Sequence, residues 1–267
     1  AENSAATQSG SWVIATITQY PSRSKDALVR ITRNFGLETN PSHDNAIACA
    51  VVGLPQEFPM DVRVDARLDL PDDTGTRIDL THLPFVTIDG EDAKDFDDAI
   101  LVEAKPGDEA WVLSVAIADV SHFVRPQTAL DREARRRSTS VYFPDLCVPM
   151  LPPLLSNDRC SLNPQTPKKV VVAELAFDRD GNRTRSHFFL ATIQTAARLT
   201  YTQVQAFFDG DTSSLENLKT PLRDARMLYR RLYALRKARF ALDFNFPELK
   251  FELDSNAHPV RVFCAPR

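Results

Sequence analysis

Glycine is scarce in this chain, with 8 in 267 residues against 18 prolines. Neither G-x-x-x-x-G-K nor G-x-G-x-x-G occurs, so a glycine-rich phosphate cradle is excluded. Cysteine is also sparse. Cys49, Cys147, Cys160 and Cys264 include no C-x-x-C, and the closest two lie thirteen apart. That spacing argues against a zinc site or a disulfide framework and for buried free thiols in a reducing compartment. Long apolar runs are missing: none approaches the ~20 residues of a membrane helix. The first residues, AENSAATQSG, lack the apolar core of a signal peptide. A cytoplasmic protein is expected. The absence of an initial Met reads as a piece of a longer polypeptide. No large charge of either sign is present. Lys+Arg 32 against Asp+Glu 36 leaves a net charge of −4, which excludes coating of nucleic acid by bulk charge but not a local basic channel.

What is present is a globular composition, 43% hydrophobic and 25% charged. The length fits one large or two modest domains. Residues 11–35 alternate like a hairpin with a long polar turn, and AIACAVV (46–52) reads as a third strand. Asp61–Asp79 reads as a short helix and a linker, which puts a boundary near residue 80. Beyond it, PFVTID (84–89), DDAILVEA (97–104) and WVLSVAIADV (111–120) read as strands, the last two joined by a Pro-Gly turn. LDREARRR (130–137) is a short basic helix. Residues 168–193 form a second hairpin turned at Asp178–Asn182. Residues 221–241 place Leu222, Leu228, Leu232 and Leu235 at helical spacing, with seven basic residues elsewhere on that helix. The fold class is α+β, with strands mostly antiparallel.

The chemistry concentrates in TIDGEDAKDFDD (87–98), where six carboxylates fall within ten residues between two core-type strands. Crowded carboxylates repel unless a cation neutralises them, and the partner of all-oxygen donors is a hard divalent ion. Magnesium there suits phosphodiester hydrolysis. A solvated acidic turn and a calcium loop are the competing readings. The calcium loop is disfavoured because acids counted from Asp95 fall at positions 1, 3 and 4 with no glycine following.

This segment resembles the signature of the ribonuclease II/ribonuclease R (RNB) family of 3′→5′ exoribonucleases. The likeness continues through IADVSHFV (117–124), SVYFPDLCVPMLPPLLSNDRCSLNP (140–164), ARLTYTQVQ (197–205) and LDFNFPE (242–248). One departure is Gly90, where the family usually has proline; no carboxylate is lost with it. The resemblance implies that Asp89, Asp95 and Asp98 organise Mg2+ (Mn2+ as substitute) and that Asp97 is the acid tied to activating water. It implies that Tyr142 stacks on RNA bases. It also implies a partial OB or cold-shock-like barrel and linker in residues 1–80, ahead of an RNB catalytic domain in 81–267. The implied activity is magnesium-dependent hydrolysis of single-stranded RNA to nucleoside 5′-monophosphates. The alternative is a catalytically impaired RNA- or partner-binding fragment that keeps the frame. Family members continue well past the position of Arg267, so the remainder of the polypeptide, or a complementing chain, is an expected partner.

The basic residues have two readings. Arg132, Arg135, Arg136 and Arg137, Lys168 and Lys169, and the cations of 226–239 either flank an RNA path or decorate solvated faces; the latter reading is favoured for most. His122 reads as structural.

Overall fold

The computed structural model describes residues 7–37, 43–68, 74–107, 110–211, 215–244, 246–247, 249–256 and 258–264. In chain order the strands and helices begin β1 (Ser11–Gln19), β2 (Leu28–Leu37), α1 (Asp44–Val51), α2 (Met60–Asp65), β3 (Ile78–Asp79), β4 (Val86–Asp89), β5 (Asp98–Ala104) and β6 (Trp111–Ala118). They continue α3 (Val120–Phe123), α4 (Ala129–Arg137), β7 (Val141–Tyr142), β8 (Cys147–Val148), β9 (Pro167–Phe177), β10 (Arg183–Gln194) and β11 (Ala197–Thr200). The last are α5 (Tyr201–Asp209), α6 (Lys219–Ala238), β12 (Leu249–Leu253) and β13 (Pro259–Cys264). The chain divides into two compact units: residues 1–59, 134–150 and 245–267 form one, residues 60–133 and 151–244 the other.

In the first unit β1 and β2 pair antiparallel from Ser11↔Leu37 to Gln19↔Leu28, with three register shifts that twist the ribbon. The segment expected as a third strand is instead helix α1. Its Ala-Ile-Ala-Cys-Ala core has no polar alternation, and alanine is the strongest helix former. The helix buries Cys49 and stops at Gly53, whose φ of +69° takes the left-handed position just past the C-cap. Arg137, grouped with a basic surface in the sequence, is buried. It stacks over Phe58 at 3.7 Å and donates to the carbonyls of Glu57 and Pro149. That makes it a structural tie rather than a free cation.

The second unit is built on a seven-stranded sheet ordered β11-β4-β5-β6-β9-β10-β3. The central pairs are antiparallel, and β11 and β3 add parallel edges to β4 and β10. The β9–β10 turn is organised by Asp178, which accepts from the backbone N–H groups of Asp180 and Asn182 and from Asn182 Nδ2. Those bonds hold its carboxyl below the usual carboxylate range. α5 begins in a capping box, with Thr200 accepting from Gln203 N–H and the Gln203 side chain accepting from Thr200 N–H. Val204, Phe207, Leu218 and Leu222 from α5, α6 and the turn before α6 pack on Val86 and Leu199. Leu228 packs on Val102, Trp111 and Phe177. Both helices thus cover one sheet face along the length of β5.

Candidate active site

β4 ends at Asp89 and β5 begins at Asp98, so the acid-rich segment is the loop between two neighbouring strands. Phe96 anchors it. The ring is buried, and its backbone N–H donates to Ser161 Oγ at 3.0 Å while its carbonyl accepts from Leu162 N–H at 2.8 Å. In extended backbone successive side chains alternate, so burying Phe96 turns Asp95 and Asp97 away from the core. The Asp97 carbonyl accepts from Ala118 N–H at 2.9 Å, continuing the β5–β6 ladder. The acids therefore sit on a tied frame.

β11 supplies a second tie that the sequence reading overlooked. It runs parallel to β4, with Arg198 opposite Thr87 and Thr200 opposite Asp89. Arg198 Nη2 donates to the carbonyls of Gly90 at 3.0 Å and Glu91 at 2.8 Å, and its guanidinium lies over the Phe96 ring at 5.0 Å. One side chain thus grips both the entry of the loop and its anchor. The available signal was an arginine in a strand-like ARLT beside the acid segment in the resemblance.

Asp97 lies within electrostatic reach of Asp89, Asp95 and Asp98, and Asp98 also acts on Asp89. Burial raises the Asp89 carboxyl above the usual range, and Asp98 and Asp97 add to the shift. The Thr87 hydroxyl is near enough to temper it but lacks hydrogen-bond geometry, and Asp89 Oδ2 is buried with no hydrogen-bond partner. Asp97 is also raised, first by the protein atoms crowding it and then by Asp95 and Asp98, although its side chain stays open to solvent. Among the described residues no three His, Cys, Asp or Glu side chains converge as a metal-holding group. The donor chemistry nevertheless fits a hard divalent cation: all-oxygen ligands, mutual repulsion, and an orphaned buried carboxylate oxygen.

Next to this loop lies a buried polar network. Asp119 caps α3, accepting from His122 N–H, from Ser121 Oγ at 2.6 Å and from Arg77 Nη2 at 2.5 Å. His122 is buried, and its Nε2 is 3.1 Å from Lys169 Nζ. Lys168, expected on a solvated face or an RNA path, is instead buried, with Nζ donating to the Asp158 carbonyl at 2.5 Å. Burial pushes the Cys160 thiol up to about 12, with Asp97 adding to the shift, so it is inert as a nucleophile. The cysteines are all free, but only Cys49 and Cys160 are buried; Cys147 and Cys264 are exposed, because they sit on short two-stranded ribbons rather than in the main core. Tyr142, in the other unit, pairs with Cys147 across β7–β8 and is 67% exposed, so it is not the half-buried core residue of its bland reading.

An RNB domain profile matches residues 77–267, and a cold shock domain profile matches residues 1–59. The chain belongs to the RNB-domain family. Among its relatives, ribonuclease R of Vibrio parahaemolyticus is 40% identical over 257 residues, 94% of this chain and 31% of that protein. Ribonuclease R of Escherichia coli is also 40% identical over 257 residues, covering 94% and 32%. The structure of Mycoplasma genitalium RNase R in complex with double-stranded RNA superposes with a TM-score of 0.88 at 30% identity, covering 96% of this chain and 46% of that one. This RNB-family chain spans about a third of the length of the curated relatives it matches. Its α+β fold is the RNase R fold. Among the described residues, no helix is long and apolar enough to cross a membrane.

Proposed function

We propose that the chain is the nuclease portion of a magnesium-dependent 3′→5′ exoribonuclease that releases nucleoside 5′-monophosphates from single-stranded RNA in the cytoplasm. The observation that carries this reading is the tied acid loop, where Asp97 and Asp98 repel Asp89, Asp95 and Asp98 repel Asp97, and Asp89 Oδ2 is buried without a hydrogen-bond partner. Asp89, Asp95 and Asp98 are the residues assigned to hold Mg2+ (or Mn2+), which when bound would polarise the scissile phosphate. Asp97 is assigned to take the proton of the attacking water. That oxygen bonds to phosphorus, the bond to the 3′-oxygen breaks, and the proton ends on the shortened RNA. The raised proton affinity of Asp97 suits a group that accepts a proton during the step. Arg198 holds the loop carbonyls. Tyr142 is assigned to stack on a base, a contact worth about 1–3 kcal/mol and indifferent to sequence. The proposed domain division lies near residue 80, upstream of the acid loop.

The test is a gel assay on 5′-labelled single-stranded RNA with magnesium and with a chelator. Shortening from the 3′ end only with magnesium is expected. Asp97→Asn is expected to lower turnover by at least about a hundredfold with RNA binding retained. Turnover surviving in that variant removes Asp97 from its role.

A second reading is favoured by one observation, that no three acids converge as a metal-holding group among the described residues. It makes the chain a binding fragment that keeps the RNB frame, completed by the rest of its polypeptide or by a complementing chain. Tight RNA binding with RNA intact in both lanes selects it.

A further inference from the structure

The end of the sheet opposite the acid loop carries a concentration of arginine that the nuclease reading leaves unused. β5 runs from Asp98 to Ala104, about 20 Å at the rise of an extended strand. At its far end Ala104 pairs with Trp111, and Trp111 with Phe177. There the β9–β10 turn meets the second half of α6. Gly181, at φ +88°, approaches so closely that an added Cβ would stand 3.0 Å from Arg231 Cβ. Two open clefts lie here. One, of about 540 Å³, is lined by Trp111, Met227, Arg179, Arg230 and Arg231. The other, of about 700 Å³, is lined by Tyr229, Tyr233, Arg183, Arg236 and Arg239.

Arginine in the last turn of a helix is common, because the C-terminal dipole favours it. That does not account for Arg179 and Arg183, which come from the hairpin, nor for the charge balance. Arg236 pairs with Asp243, Arg185 with Glu174, and Asp224 and Asp178 accept from backbone N–H groups. Arg179, Arg183, Arg230, Arg231 and Arg239 have no carboxylate partner among the described residues, where the nearby Asp178, Asp180 and Asp224 form no ion pair either. Five guanidiniums with no carboxylate partner among the described residues, on facing elements, repel one another until a polyanion joins them. Beside them Tyr229 and Tyr233 stack at 5.7 Å and 20°, and Tyr229 is 61% exposed, leaving an aromatic face open. Guanidiniums with a free aromatic face are what a single-stranded nucleic acid uses, phosphates on the cations and a base on the ring.

We infer that these two clefts form an accessory site for single-stranded RNA, remote from the acid loop, that holds the body of a long substrate. This rests on the chain being an RNA-processing protein, but its test does not require catalysis.

Binding of fluorescent RNA to the full chain is measured by anisotropy in the presence of a chelator, with a long unstructured RNA and with a hexanucleotide. The exposed arginines are removed together (Arg183→Gln, Arg230→Gln, Arg239→Gln). This variant is expected to bind the long RNA about tenfold more weakly, with a log–log salt slope shallower by about 2, at roughly 0.7 per lost phosphate contact. Tyr229→Ala is expected to weaken the long RNA about tenfold, and Tyr229→Phe to restore it. The hexanucleotide should be unaffected throughout. Unchanged long-RNA affinity and slope in the triple variant overturns the site, as does an equal loss on the hexanucleotide. Displacement of RNA by polyglutamate at equal charge, with Tyr229→Ala indifferent, also overturns it and points to an acidic protein. A wild type that shows the length-dependent effects but no magnesium-dependent shortening keeps the accessory site and removes the nuclease reading.

Discussion

Asp97 bears a charge that its surroundings oppose. Crowding by protein, Asp95 and Asp98 all push its carboxyl upward, so ionising it at neutral pH works against the fold. Replacing it with asparagine removes that repulsion. Asp97→Asn is therefore expected to raise the metal-free melting temperature while it stops turnover, a divergence that a scanning calorimeter and the gel assay read together. Asp119 is the opposite case. Burial pushes its carboxyl up, but the Ser121 hydroxyl and Arg77 outweigh it, and the net shift is downward. A lowered folded value means that this stabilisation is complete above the unfolded carboxylate range near pH 3.9 and is lost as pH falls through the folded value. Asp119→Ala removes the carboxylate partner of the buried Arg77 guanidinium and is expected to cost about 3–5 kcal/mol at pH 7 in urea unfolding. Part of the pH dependence below 4 should vanish with it. The four aspartates were legible as residues because acids so dense between two apolar strands are conspicuous in one dimension. Arg198 was not, because its partners lie about a hundred positions away in sequence.

At the scale of elements, the site depends on where strands stop. β4 and β11 run parallel, and both end at the acid loop, with Asp89 opposite Thr200. Thr200 is at once the last residue of β11 and the N-cap of α5, so the same residue closes the strand and starts the helix behind the loop. Thr200→Ala removes the side-chain half of the capping box and is expected to cost about 1 kcal/mol, read as a shift in the denaturant midpoint. The hairpins and α6 were readable from period and turn chemistry, since both are local. α1 was misread because a short run of small apolar residues suits a strand and a buried helix equally, and alanine propensity decided it. β3 and β11 were missed because two- and four-residue edge strands have no room for a period.

At the scale of the whole molecule, metal and fold are linked. If the acid loop holds magnesium only when folded, saturating ion adds stability by mass action, about 2.7 kcal/mol at a hundredfold excess over Kd. The melting temperature is expected to rise by several degrees with magnesium, to fall back with chelator, and to be indifferent to both in Asp89→Asn. The modest net charge of −4 conceals an uneven distribution: a cluster of acids at one end of β5 and a cluster of arginines at the other. Composition cannot reveal that polarity, because summing charges discards position. What the sequence determined by itself was local: the alternation of the central strands, the turn at Asp178–Asn182, the amphipathic α6, and the order of acids around Phe96. Only the tertiary structure decided which distant groups meet. It brought Arg198 onto the loop carbonyls, Ser161 onto the Phe96 backbone, Arg77 onto Asp119, and the hairpin arginines onto α6. Each of these is a contact between residues far apart along the chain, and no sequence period encodes such a contact.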